Sequence, residues 1–304
     1  MSSSLTHAHV RWFIDAPEQS PPFDWTPIYF LLIAGACGFG VISLVAEARL
    51  RPLYQMRFFR IWPKINQWRF LAIACGITFV FISWELIFIA PNITVVESLK
   101  VFIGVQAAVG VLLLSGASLS TSGVAVLSLC ALTAVSVKPE IWVDYMFEFV
   151  AIGLAFILAK RHRNWAITVL RVGIGLQLME LAIHNKLMNA GLGLMFLEEY
   201  PWNIMQMMGL TFFDNLMFVF AAGLAELTFG LLIVLAIGTR FVVLVVSGFF
   251  MLTSVILGLH ELIGHVPIIA CCIVLFSLGK GLSLSESLAV FYRQLMGQNS
   301  TATP

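Results

Sequence analysis

Charge is what this chain has least of. Only 11% of its 304 residues are charged, 17 basic against 16 acidic, while 60% are hydrophobic and the mean hydropathy is +0.96. So few ionised groups cannot cover a water-soluble domain of this size, which excludes that class. Cysteine is scarce too. Cys37, Cys75, Cys130, Cys271 and Cys272 all fall in apolar stretches and none stands in a C-x-x-C, which argues against a thiol–disulfide enzyme. The adjacent Cys271 and Cys272 read as small packing residues. Also missing are a glycine-rich phosphate loop, a nucleophile triad, a nucleotide motif and the facing mid-membrane histidines that hold a haem. Nucleic-acid binding has no support. The first 25 residues lack a basic region followed by a short apolar core, so they do not read as a cleaved signal peptide.

What the chain does have is long hydrophobic runs. A helix needs roughly 18 to 25 apolar residues to cross about 30 Å of hydrocarbon. Nine runs approach that length, at residues 27 to 47, 70 to 90, 98 to 116, 122 to 138, 142 to 160, 165 to 187, 213 to 236, 240 to 259 and 266 to 282. The expected fold is an all-α integral membrane protein with about nine transmembrane helices, its main partner the lipid bilayer. The loop after the first run carries Arg49, Arg51, Arg57, Arg60, Lys64 and Arg69. By the positive-inside rule this loop is cytoplasmic and the N-terminus lies outside. Threading nine spans from there puts Lys160, Arg161, Arg163, Arg240, Lys280 and Arg293 on the inner side and leaves only Arg11, Lys100, Lys138 and Lys186 outside. The expected location is a bacterial inner (plasma) membrane, with the C-terminus cytoplasmic. Most acids fall on the outer side, where they attract cations or basic partners. Among them Asp144, Glu148 and Glu85 read as interfacial acids reaching solvent.

An internal echo runs along the chain. "VQAAVGVLLLSG", from Val105, resembles "LAELTFGLLIVL", from Leu224, and a shift of about 120 places Gln106 on Glu226, Gly110 on Gly230 and Glu140 on His260. Spans two and six each open with an arginine, Arg69 and Arg171. The chain therefore divides into an extracytoplasmic segment (1–26), a lead-in helix with its basic loop (27–69), a first four-helix unit (70–163), a second (164–282) and a cytoplasmic amphipathic tail (283–304). Two such units run parallel, because an even number of crossings separates them. In the tail, Ser283 and Glu286 have capping-box spacing.

The second unit carries "LRVGIGLQLMELAIHNKLM", "AAGLAELTFGLLIVLAIGTRF" and "GLHELIGH". Over roughly residues 165 to 282 it resembles the DoxX family of four-span membrane proteins. The matching positions are Arg171, His184, Lys186, Glu226, Gly230, Thr239, Arg240 and His260. The outer segment 188–212 and Asn185 depart from that pattern. The resemblance implies a four-helix unit and, since some relatives are subunits of quinone-linked sulfur-oxidising complexes, a bound quinone and an extracytoplasmic redox protein or further subunit as partner.

Several residues point to chemistry independently. Gln177, Glu180 and His184 stand at i, i+3 and i+7, a stripe on one helical face. Ionisable groups facing lipid cost several kcal/mol, so the stripe faces a bundle interior or a wet cavity. Lys186 folds back over it or extends outward. Glu226, deep in span seven, is either protonated or paired. In "HELIGH", His260 and His265 are five apart, which rejects the zinc helix H-E-x-x-H; Gly264 and Pro267 suggest that the helix ends there, returning His265 toward His260 beside Glu261. Met205, Met207 and Met208 with these histidines suggest a soft metal, but methionines at a membrane surface are more often apolar contacts, so no metal is assigned. The expectation is one outward-facing pocket formed by Gln177, Glu180, His184, Lys186, Glu226, His260, Glu261 and His265. Three readings follow: a quinone-linked redox subunit, a transporter of a cation or small solute, and a non-catalytic anchor or assembly factor.

Overall fold

The computed structural model describes residues 20–23, 25–54, 66–89, 100–283, 286 and 289, with the backbone alone at 51–54, 140, 141, 256, 257, 259 and 260. The N-terminal interfacial stretch, most of the basic loop and the amphipathic tail lie outside these residues. The described chain is all-helical, with no strand. Its helices are α1 (Pro27–Tyr54), α2 (Gln67–Trp84), α3 (Lys100–Leu114), α4 (Leu119–Ser136), α5 (Pro139–Leu158), α6 (Arg163–Ala182), α7 (Ala190–Glu199), α8 (Ile204–Met207), α9 (Asn215–Val234), α10 (Thr239–Leu257) and α11 (Leu259–Leu278). Six are long and apolar enough to cross a membrane: α1, α2, α4, α6 with its extension to Leu187, α9 and α11. Helices α3 and α10 are apolar but shorter, and α5 carries Glu140, Asp144 and Glu148.

Burial is distributed as a bilayer requires. Large apolar side chains such as Leu31, Val41, Val101 and Val135 face outward, whereas Gln106, Arg171, Gln177 and Asp144 are inside. Lipid offers no hydrogen bonds, so polar groups such as those of Gln106, Arg171 and Gln177 find their partners within the bundle. The helix ends follow the same logic: Asn66, Ser118 and Asp214 cap α2, α4 and α9 by accepting from backbone N–H groups of the first turn. The Ser283–Glu286 capping box also forms, Ser283 N donating to Glu286 Oε2 and Glu286 N to Ser283 Oγ.

The two four-helix runs, α2 to α5 and α6 with α9 to α11, use one packing plan. Helix α2 packs on α3 as α6 packs on α9, and α4 on α5 as α10 on α11. The last helix of each run then packs on the first helix of the other, α5 on α6 and α11 on α2. Details repeat as well. At the α2–α3 crossing a Cβ on Gly76 would stand 2.9 Å from Gly110 O; at the α6–α9 crossing one on Gly175 would stand 2.7 Å from Gly230 O. Only glycine lets these backbones approach so closely. Gly76 and Gly175 are 99 positions apart, and every buried residue of α2, from Gln67 to Ser83, has a buried counterpart in α6 at that spacing.

The two arginines close the ends of the second helices. Arg69 donates through Nη1 to Leu113 O and through Nη2 to Leu114 O. Arg171 donates through Nη1 to Ile233 O and Val234 O, each 120 positions on, and also reaches Lys280 O and Leu282 O. A cation there satisfies carbonyls that have no intrahelical partner. The arginines are 102 positions apart, not 99, so they work from different turns of the matching helices toward matching carbonyls.

Helix α11 differs from expectation. Gly264 and Pro267 do not end a helix; the break is at Gly258, whose φ is 94°, and α11 runs through Pro267 to Leu278. Proline cannot donate to the carbonyl four residues back. In α11 that carbonyl, Ile263 O, instead takes the Thr78 hydroxyl of α2 at 3.4 Å.

Candidate functional site

Helices α2, α5, α6 and α11, the first and last of each run, converge on a cavity of about 50 Å³. A water needs roughly 10–15 Å³ by this measure, so the cavity has room for a few waters. Helix α2 contributes Thr78, Phe81 and Ile82, and Glu85 at its C-cap; α5 contributes Asp144, Tyr145, Glu148 and Phe149; α6 contributes Gln177 and Leu181; α11 contributes His265 and Ile268. Phe250 of α10 covers the His265 ring at 4.5 Å between centroids.

The acids on α5 were expected to reach solvent at a membrane interface. The structure corrects this: Asp144 is 3% exposed and Glu148 9%. Pro139 at the first turn starts the helix, and the i, i+4 spacing puts both carboxyls on the face that meets α6. Gln177 fastens that face, its amide donating to Asp144 O and its carbonyl accepting from Glu148 N at 3.2 Å. An α-helix pairs those two backbone groups with each other, so Gln177 spans one step of the α5 ladder. Glu148 Oε1 is buried without a hydrogen-bond partner. A buried polar atom left unpaired is costly and asks for an explanation.

Next to the cavity, Glu180 Oε1 and His184 Nδ1 are 3.1 Å apart. With Asp144 they form a group in which one ligand-type atom from each residue lies within 4.8 Å of the others. The expected stripe Gln177, Glu180, His184 thus exists, and α5 adds to it. His184 sits at a change of helix type: residues 183–187 form a π turn, closed by Met188 N to Ile183 O at 2.8 Å. Such turns insert one residue and re-aim the side chains that follow.

Lys186 is aimed away from the stripe and across to α9. Its Nζ donates to both carboxyl oxygens of Glu226, at 2.8 and 2.7 Å. Glu226 is therefore paired, and its partner is the lysine that was expected to fold back over the Glu180 stripe or extend outward. Gly223, one turn earlier on α9, lets the π turn approach, since a Cβ there would meet Lys186 Cβ at 3.0 Å. This pair does not line the cavity.

On α11, His265 lines the cavity and its Nδ1 lies 3.3 Å from Glu261 Oε1, the pair being i, i+4 in one helix. Both are buried. His260 is on the first turn of α11 and its side chain is not described. Met205, Met207 and Met208 belong to α8 and its end, away from the cavity.

The structure thus brings Gln177 and His265 into one cavity, sets Glu180 and His184 at its side through Asp144, and separates Lys186 and Glu226 as a peripheral pair. Asp144 and Glu148 are the residues that sequence reasoning underrated. Their signal was the i, i+4 spacing in a span whose partner helix carries Gln177 and Glu180. No family model, curated protein or solved structure matches this chain.

Proposed function

We propose that this is an integral membrane transporter of a cation, which it takes from the His184 end of the bundle into the cavity between the first and last helices of its two four-helix units. The observation that carries this reading is the buried, unpartnered carboxyl oxygen of Glu148 beside Asp144 and His265. Buried ionisable groups inside a bundle mark ion and proton pathways, because their cost in a low-dielectric interior must be offset by what they bind. The order of groups supports a path: His184 is the most exposed, Glu180 less, Asp144 and Glu148 buried. In this reading the barrier beyond Glu148 is the Phe149–Phe79 ring pair, whose centroids are 5.3 Å apart. Passage therefore needs the two units to rock against each other, as parallel repeats permit.

The DoxX-like motifs support four-helix units, and a reading with nine crossings adds the shorter apolar α3 and α10 and the acid-bearing α5 to the six helices long and apolar enough to cross. By the positive-inside rule the distribution of basic residues supports an orientation with the His184 end outside and the C-terminus cytoplasmic, as expected for a bacterial inner membrane. The quinone-linked reading from the same motifs has less support from the cavity, since about 150 Å³ is what binds a benzene ring.

The test is transport by purified protein in liposomes carrying an imposed pH or metal-ion gradient. The wild type dissipates one of these gradients and Glu148→Gln does not. Equal rates in the two, or a rate equal to that of empty liposomes, overturns the proposal. Stoichiometric quinone extracted from the same preparation would instead favour the redox-subunit reading.

A further inference from the structure

Asp144, Glu180 and His184 belong to different stretches of chain, α5 and the end of α6, yet their ligand atoms converge within 4.8 Å. From this geometry we infer that they form a binding site for a divalent transition-metal ion such as zinc, which makes that ion the substrate class of the transport path proposed above and rests on that reading. Two carboxylates and an imidazole are a mixed oxygen and nitrogen donor set, which suits zinc, manganese or iron more than calcium or magnesium. Two carboxylates also balance a double positive charge, so the loaded site is neutral where a net charge is costly.

The spacing is close to what the metal needs. Tetrahedral zinc with bonds of about 2.0–2.2 Å holds its ligands about 3.3 Å apart, and Glu180 and His184 already stand at 3.1 Å. Asp144 has less than about 2 Å to close, within reach of a rotamer change. The outer ligand is on the π turn, so His184 has access from the bundle end while Asp144 is buried. The independent indication of a ligand is Glu148. One turn below Asp144 on the same face, nine-tenths buried and lining the same cavity, it has an oxygen with no partner. A cation delivered by the three ligands would meet that oxygen next.

The Lys186–Glu226 pair is a second ionisable group that lies outside this convergence and outside the cavity lining. That difference supplies the control. Zinc binding to the full chain in detergent, measured by equilibrium dialysis, is expected to show a site that Asp144→Asn, Glu180→Gln and His184→Ala each weaken by at least the roughly 10- to 100-fold that loss of even an outer-shell partner causes. Glu226→Gln should leave it unchanged. Cobalt in place of zinc should give visible absorption bands that vanish in His184→Ala, a readout that merely loosened folding would not move selectively. No binding, or binding insensitive to all three ligand variants, overturns the site. The two levels separate cleanly. Zinc bound at these ligands without any flux in liposomes keeps the site and removes the transport reading, whereas a Glu148-dependent proton flux with no zinc binding keeps transport and removes the metal.

Discussion

The two four-helix runs share a scaffold and differ in chemistry. In each, the second helix carries a polar residue that ties down the chain leaving the first helix. Gln106 does this with a neutral amide, donating to Ile87 O and Ser83 Oγ and accepting from Ile89 N. Glu226, 120 positions on, does it with a charge, holding Lys186. Ile87 and Lys186 are themselves 99 apart, the spacing that relates the first helices. The same contact is thus made once by an amide on backbone and once by an ion pair. At the last helices the difference is reversed. The first run places Asp144 and Glu148 where the second has Gly264 and Ile268, and Tyr145 where the second has His265. Packing residues repeat because both runs must solve the same helix crossings. The central cavity gathers unlike faces, acids from one run and an imidazole from the other, and the proposed cation path rests on this asymmetry.

The comparison can be tested where the two halves should respond unequally. The largest expected effect is at the arginines. Arg171 is 1% exposed and satisfies carbonyls on two elements, while Arg69 is partly exposed and satisfies the end of one. Hydrogen bonds from a charged donor contribute about 1.5–3 kcal/mol each in water-soluble proteins and less in membranes. Arg171→Ala should therefore destabilise by about 3 kcal/mol and Arg69→Ala by about 1 kcal/mol, read as thermal unfolding in detergent. Equal losses would mean that the extra contacts of Arg171 contribute nothing.

The glycine crossings should respond alike. Gly110→Leu and Gly230→Leu each force a side chain against backbone in the facing helix, an overpacking cost of about 1–3 kcal/mol. Gly35 on α1 has nothing within 4 Å of a Cβ, so Gly35→Leu is the neutral control. A large difference between Gly110→Leu and Gly230→Leu would break the shared packing plan. So would an experimental structure in which α2–α5 and α6, α9–α11 superpose no better than arbitrary helix quartets.

How much of this was legible beforehand depended on locality. Hydrophobic runs located the long helices, and the shift of 120 between Gln106 and Glu226 followed from short apolar motifs with fixed glycines. The register of the first helices did not. The chain between α6 and α9 includes α7 and α8, which have no described counterpart between α2 and α3, so the two parts of each unit are offset by different amounts, 99 and 120. Aligning Arg69 with Arg171 by eye is then wrong by one turn. The stripe of Gln177, Glu180 and His184 was visible as a helical period, but the π turn that swings Lys186 to α9 leaves no periodic signal. Asp144 and Glu148 sit near a span end, and only the convergence of α5 with α6 buries them. Pro267 looked like a terminator because a proline's missing donor usually marks one; here Thr78, distant in sequence, satisfies the orphaned carbonyl.

A smaller effect is expected at the peripheral ion pair. Its members are partly exposed, and such pairs contribute about 0.2–1 kcal/mol. Lys186→Met should lower stability by about that much, and Lys186→Met with Glu226→Gln should regain part of it, as measured in a double-mutant cycle. The smallest stability change belongs to Glu148→Gln, within about 0.5 kcal/mol of wild type, because glutamine keeps the shape of the side chain and the Oε1 it replaces makes no hydrogen bond. Its effect should fall on cation handling alone.

Infrared difference spectra of the purified protein with and without added cation test most directly whether the chemistry lies in the central cavity and not in the ion pair at its edge. The account predicts a change in carboxyl bands on cation addition that Glu148→Gln alters or removes and Glu226→Gln leaves as in the wild type. An identical difference spectrum in Glu148→Gln, or one abolished by Glu226→Gln alone, would contradict it.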